Sequence, residues 1–139
     1  MKNGFTLTQV TVAIALVSLM AGVTMPRFSR FRDRLSVHSA TMDVVSALSR
    51  ARAIAFERSV RAAVTFDVPS ATLAIHSYGD TLDVRPLGAL YGVSIRASRD
   101  SVTYARNAMG FGASNTRVIV ARGAIAETVT VSRLGRVKR

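Results

Sequence analysis

The sequence predicts an α+β protein. A long N-terminal helix, its first half suited to crossing a membrane and its second half amphipathic, packs on antiparallel β-sheets. Three observations carry this. An uncharged apolar run opens the chain from Phe5 to Met25, neither glycine nor proline interrupts Arg27 to Val68, and beyond Arg61 the apolar spacing changes from helical to alternating. The 139 residues are enough for one ordinary domain with such a helix attached.

Composition narrows the function classes. Lys and Arg number 19 against 8 Asp and Glu, a formal net charge of +11, and every cation except Lys2 and Lys138 is arginine. With 49% hydrophobic residues and a mean hydropathy of +0.28, the chain is too apolar for a disordered basic tail. The lack of cysteine excludes a disulfide scaffold, a thiol nucleophile and a zinc ribbon, and leaves the redox compartment open. Two separated histidines, His38 and His76, and scattered acids offer little from which to build an active site, so no enzyme, metal or cofactor is expected. Met109-Gly110-Phe111-Gly112 lacks the Lys-Ser/Thr of a phosphate loop and reads as a turn. Asp80, Asp83 and Asp100 do not have the spacing of a calcium loop.

The first element is the apolar run. Its 21 residues match a bilayer core of roughly 30 Å at about 1.5 Å per residue, which assigns membrane contact to residues 5–25. Thr6, Thr8, Gln9, Thr11, Ser18 and Thr24 interrupt it, mostly near its start. An amide such as that of Gln9 needs a partner in hydrocarbon, either another helix or the headgroups. The four residues before Phe5 are too short an n-region for a secretory signal, and Met20-Ala21-Gly22 is a poor cleavage match. Arg27, Arg30, Arg32 and Arg34 come after the run and only Lys2 precedes it. The positive-inside rule alone places the C-terminal domain in the cytoplasm, yet basic residues also bind anionic headgroups, so charge leaves the orientation open.

The opening Lys2-Asn3-Gly4-Phe5-Thr6-Leu7 resembles the prepilin processing site of type IV pilins and pseudopilins. The resemblance implies that a prepilin peptidase cuts after Gly4 and methylates Phe5, and that the helix serves as inner-membrane anchor and later as filament core. Pro26 stands where many of these proteins carry a helix-kinking proline. The chain departs from the pattern at Gln9, where the fifth residue of the mature chain is usually a glutamate that pairs with a neighbour's N-terminal amine. Glutamine keeps a hydrogen bond to an ammonium but loses its charge-assisted part. A minor, initiating or tip subunit tolerates this better than a major one. Gln9 and Pro26 are the residues expected to act in assembly.

The helix is expected to run to about Val60. Phe28, Phe31, Leu35, Met42, Val45 and Leu48 recur at mostly helical spacing and are expected to face the sheet, with a coiled-coil seam as the alternative. Leu48-Ser-Arg-Ala-Arg-Ala-Ile-Ala55 is similar to the Leu-x-x-Ala-Arg-x-x-Ala segment of the GspH/FimT branch, in which the helix leads directly into a β domain. Val60, Ala62, Val64 and Phe66 then alternate as a strand. Further strands are expected around 72–75, 93–95, 102–104, 118–120 and 129–131, about seven in all. Turns fall at 67–70, 78–80, 86–88 and 107–115. The resulting division is a leader at 1–4, a membrane and filament-core helix at 5–26, and a pilin-like globular domain at 27–139 whose β-rich part is 61–139.

Arg117 to Gly123 and Thr128 to Arg136 resemble the closing hairpin and terminal Gly-Arg motif of the same branch. Arg133, Arg136, Lys138 and Arg139 crowd the C-terminus, with Arg117 and Arg122 on the strand before it. Such a patch attracts phosphates with salt-sensitive affinity, and it is equally compatible with a solvated terminal strand. Few aromatics accompany it, so its expected nucleic-acid partner is double-stranded DNA without sequence preference. Some FimT-like minor pilins are linked to DNA uptake through a tail of this kind. The expected role is that of a structural subunit, a minor pilin or pseudopilin, of a type II secretion pseudopilus or a type IV pilus. Its partners are other pilins and the prepilin peptidase. It is a single-pass inner-membrane protein with its C-terminal domain in the periplasm, joining a filament after processing. A DNA-binding minor pilin is one alternative. A signal-anchored periplasmic binding protein outside any filament, retaining residues 1–4, is another.

Overall fold

A computed structural model describes residues 6–112 and 115–139, and the side chains of residues 23–26 are outside that description. Gly4 and Phe5, and the side chain of Pro26, therefore lie outside the described residues. The chain divides into two compact units, Met1–Arg32 and Asp33–Arg139. Helix α1 spans Leu7–Glu57 and is followed by β1 (Ala62–Asp67), β2 (Thr72–Ser77), β3 (Asp80–Pro86), α2 (Leu87–Tyr91), β4 (Ser94–Ala97), β5 (Ser101–Tyr104), β6 (Thr116–Arg122), β7 (Ile125–Val131) and β8 (Val137–Lys138).

In the N-terminal unit, Thr6 and Gln9 close the start of α1 reciprocally. The Gln9 backbone N–H donates to Thr6 Oγ1 at 3.3 Å, and the Thr6 backbone N–H donates to Gln9 Oε1 at 3.0 Å. This is a capping box, which satisfies two of the backbone donors that a helix start leaves without partners. Thr11 and Ser18 donate their hydroxyls to backbone oxygens of Thr8 and Ile14, so these polar groups need no outside acceptor. Leu7, Ile14, Leu16, Val17 and Leu19 are all exposed. By length and composition this segment can cross a membrane.

In the C-terminal unit, α1 buries Val37, Ala40, Thr41, Val44, Ala47, Leu48, Ala51 and Ala55, a stripe at helical spacing. This corrects the expected core face. Leu35 and Met42 are exposed, at 56% and 46%, and Val45 is only partly buried, leaving Leu48 alone of that series in the core; Phe28 and Phe31, which belong to the N-terminal unit, are exposed at 62% and 63%. Small side chains allow the sheets to come close to the helix, whereas a phenylalanine ridge would hold them away. The helix also stops at Glu57, short of Val60. Ser59 takes a left-handed conformation (φ 51°), Val60 N–H bonds Ala55 O at 3.2 Å, and Ser59 N–H bonds Phe56 O at 3.2 Å. That is a Schellman closure made without glycine.

Two four-stranded antiparallel sheets, ordered β3-β2-β1-β5 and β4-β6-β7-β8, complete the core. Strands β1 and β6 alternate buried and outward residues. Val64 lies opposite Ile75 and Val102, and Val118 opposite Val129, so the apolar sets share the inward faces. All the expected strands are present. Strands β3 and β8 are additional to them, and the expected turn at 86–88 is instead the start of α2. Proline at that helix start keeps its preset φ, and Gly92 closes the helix in the left-handed region (φ 63°). At Gly135 (φ 74°) a Cβ would meet Tyr104 Cε1 at 3.0 Å, which lets the loop before β8 lie directly on that buried ring.

Candidate interaction surfaces

Four groups of ions tie α1 to the sheets. Arg122 Nε pairs with Asp33 at 3.0 Å, while its Nη1 donates to Ser36 Oγ at 3.0 Å and to the Tyr91 carbonyl. Arg85 pairs with Asp43 at 2.8 Å, and Asp43 also accepts the Tyr91 hydroxyl at 2.9 Å, a bond that pushes the Tyr91 phenol above its ordinary range. Asp83 bridges Arg50 at 2.9 Å and Arg85 at 3.4 Å. Glu127 holds Arg139 at 3.1 Å beside His38. Four of the eight carboxylates, Asp33, Asp43, Asp83 and Glu127, thus sit in the helix–sheet seam, and Glu57, Asp67, Asp80 and Asp100 are exposed.

The six basic residues singled out near the C-terminus do not come together as one patch. Arg122 and Arg139 are held by carboxylates in the seam. Arg133 and Arg136 stand exposed on the loop before β8. Arg117 and Lys138 lie on the outer face of the second sheet, because Arg117 is opposite Thr130 and Thr130 is opposite Lys138. Arg96 belongs to the same face, since its partner Ile119 is two residues from Arg117. Ser94, Thr128 and Thr130 complete an exposed face that carries three cations, several hydroxyls and no carboxylate among its described residues. Arg96 is not among the residues expected from the sequence. Its alternation with the buried Ile95 is the signal that places it outside.

A cleft of about 940 Å³ opens at one end of the first sheet and is lined by Arg61, His76, Tyr78, Arg106, Asn107 and Phe111. The Arg61 guanidinium lies 4.0 Å over the Phe111 ring. Both His76 ring nitrogens are within hydrogen-bond distance of threonine hydroxyls, Thr65 at 2.9 Å and Thr81 at 3.0 Å, so this histidine is a satisfied part of the sheet surface. Among the described residues no group of three histidine, aspartate or glutamate side chains could hold a metal ion. A second groove, about 490 Å³, runs between Val45, Arg52 and Phe56 of α1 and Gly135-Arg136-Val137.

No protein-family model matches the chain, and neither does any curated protein. Solved structures do. The type IV minor pilin FimU of Pseudomonas aeruginosa strain PAO1 matches in two crystal forms. One gives a TM-score of 0.64 at 14% identity over 76% of this chain and 88% of that one, the other 0.61 at 13% over 73% and 90%. The fold is pilin-like. In this pilin-like chain the helix rests against both sheets through small residues and ionic contacts, while the cationic sheet face and the two grooves remain open to partners.

Proposed function

We propose that the chain is a minor pilin, a structural subunit anchored by residues 5–25 in the inner membrane, with its β domain in the periplasm. The match of the fold to a minor pilin, over 76% of this chain and 88% of that one, carries this reading. The prepilin-like residues Lys2 to Leu7 and a helix able to cross a membrane support it. The work is assembly: processing after Gly4, then packing of α1 among other pilins, for which Gln9 and Pro26 are the candidate assembly positions. Because Gln9 also completes the capping box with Thr6, it keeps the helix start ordered whether or not a neighbour's amine reaches it. The likeness to a minor pilin favours a type IV pilus over a secretion pseudopilus.

Intact-mass analysis of the full chain, expressed with and without a prepilin peptidase, tests this. The expected product with the peptidase starts at Phe5 and carries one methyl group. A chain that keeps Met1 to Gly4 under both conditions would sink the pilin reading and leave a signal-anchored periplasmic binding protein.

A second reading, sequence-independent binding of double-stranded DNA during uptake, draws on the face formed by Arg96, Arg117 and Lys138. Positive side chains and hydroxyls on one surface suit phosphate contact. Changing these three to glutamine is expected to flatten the salt dependence of DNA binding by nearly one unit of log–log slope for each phosphate no longer neutralised, about three in all. A flattening of the same size on changing Arg34, Arg58 and Arg99 would mean only that a cationic protein adheres to a polyanion.

A further inference from the structure

We infer that Arg27, Arg30 and Arg32, with Phe28 and Phe31 between them, form a binding site for the phosphate headgroups of anionic phospholipids. This rests on the reading of residues 5–25 as membrane-crossing. The site begins within one helical turn of the end of the uncharged run. At about 100° per residue, Phe28 and Phe31 point within roughly 60° of each other, Arg27 and Arg30 flank them on one side, and Arg32 flanks them on the other. Both rings are more than three-fifths exposed, and all three arginines are exposed.

Charge identifies the occupant. The unit Met1–Arg32 contains no aspartate or glutamate, and none of the three arginines has an ion-pair partner among the described residues. Their counter-charge must come from outside the unit. Phenylalanine rings at the end of an apolar span, lacking the polar edge of tryptophan or tyrosine, lie against the acyl chains just beneath the headgroups. Arginine stems lie along the apolar surface while the guanidinium forks grip phosphate oxygens in pairs. An anionic leaflet meets both demands at once, covering the rings with acyl chains and the arginines with phosphates. It also accounts for a cationic flank that the positive-inside rule would otherwise keep in the cytoplasm.

The test reconstitutes the full chain in nanodiscs of equal parts phosphatidylcholine and phosphatidylglycerol. Partial detergent stripping comes next, and the lipids that stay bound are quantified by mass spectrometry. Each arginine near an anionic surface strengthens association about fivefold, so the parent is expected to retain phosphatidylglycerol at least about tenfold over phosphatidylcholine. The variant with Arg27→Gln, Arg30→Gln and Arg32→Gln should retain the two lipids nearly equally. A charge-matched control with Arg58→Gln, Arg99→Gln and Arg106→Gln, all exposed, should behave as the parent. Unchanged retention in the first variant, or equal loss in the control, overturns the proposal. Displacement of the bound lipid by tens of millimolar inorganic phosphate would assign the site to free phosphate instead. Alkaline carbonate washing keeps the two readings apart. A chain that washes off the bilayer overturns the anchoring itself, whereas one that stays without preferring the anionic lipid overturns only the headgroup site.

Discussion

Truncating Leu48 to alanine is expected to lower stability by about 2–5 kcal/mol, the largest effect of any single side chain considered for this fold. Leu48 is fully buried, and its neighbours on the same helix face are Val44, Ala47, Ala51 and Ala55. Alanines and a valine have no reach with which to refill the space, so the cavity term stays near its maximum. For a domain of this size the melting temperature should fall by about 10 °C or more. The informative comparison is Met42→Ala on the exposed stripe of the same helix, expected to change stability by no more than about 0.5 kcal/mol. Thermal or urea unfolding of both variants checks the assignment of faces. Similar losses from both, or a larger one from Met42, would mean that the helix packs on the large residues after all.

Tyr104 is the second strong effect. Its ring is fully buried beneath Gly135, its hydroxyl has no hydrogen-bond partner among the described residues, and burial pushes the phenol up to about 12. In the unfolded chain the phenol ionises near pH 10, so above that pH the unfolded state holds fewer protons than the native state and stability falls as pH rises. The loss begins near pH 10 and levels off near pH 12, where it reaches about 2–3 kcal/mol. Tyr104→Phe should remove this alkaline limb. At neutral pH the same variant should match or exceed the parent, because it deletes a buried hydroxyl that no partner compensates. A phenylalanine variant that is much less stable at pH 7 would show that the hydroxyl is bonded in solution.

The fold is legible where local pattern and tertiary packing agree. Val60 to Phe66 alternates because β1 has one face in the core, and 118–120 and 129–131 alternate for the same reason across the second sheet. The helix face is not legible. Apolar volume points to Phe28, Phe31, Leu35 and Met42, whereas the sheets contact a ridge of alanine and valine. Close approach rewards small side chains, and a hydropathy pattern weights large ones. The end of α1 is hidden because Ser59, not glycine, takes the left-handed turn. Of the candidate surface, the abundance of cations is evident but their division is not. Nothing local to Arg122 or Arg139 shows that Asp33 and Glu127, one of them far away in sequence, hold them. The Thr6-Leu-Thr-Gln9 spacing does contain the capping box, a feature hidden behind the comparison of Gln9 with a glutamate.

Placing half of the carboxylates in the helix–sheet seam has a consequence for stoichiometry. The outward surface keeps most of the +11, with only four exposed acids to offset it. Stacking copies of such a chain side by side would accumulate like charge at each step, and the repulsion would grow with every copy added. A polymer made of this chain alone is therefore disfavoured. A single copy set among less basic neighbours avoids that repulsion. Under the minor-pilin reading proposed above, such a surface suits a component used once or a few times per assembly.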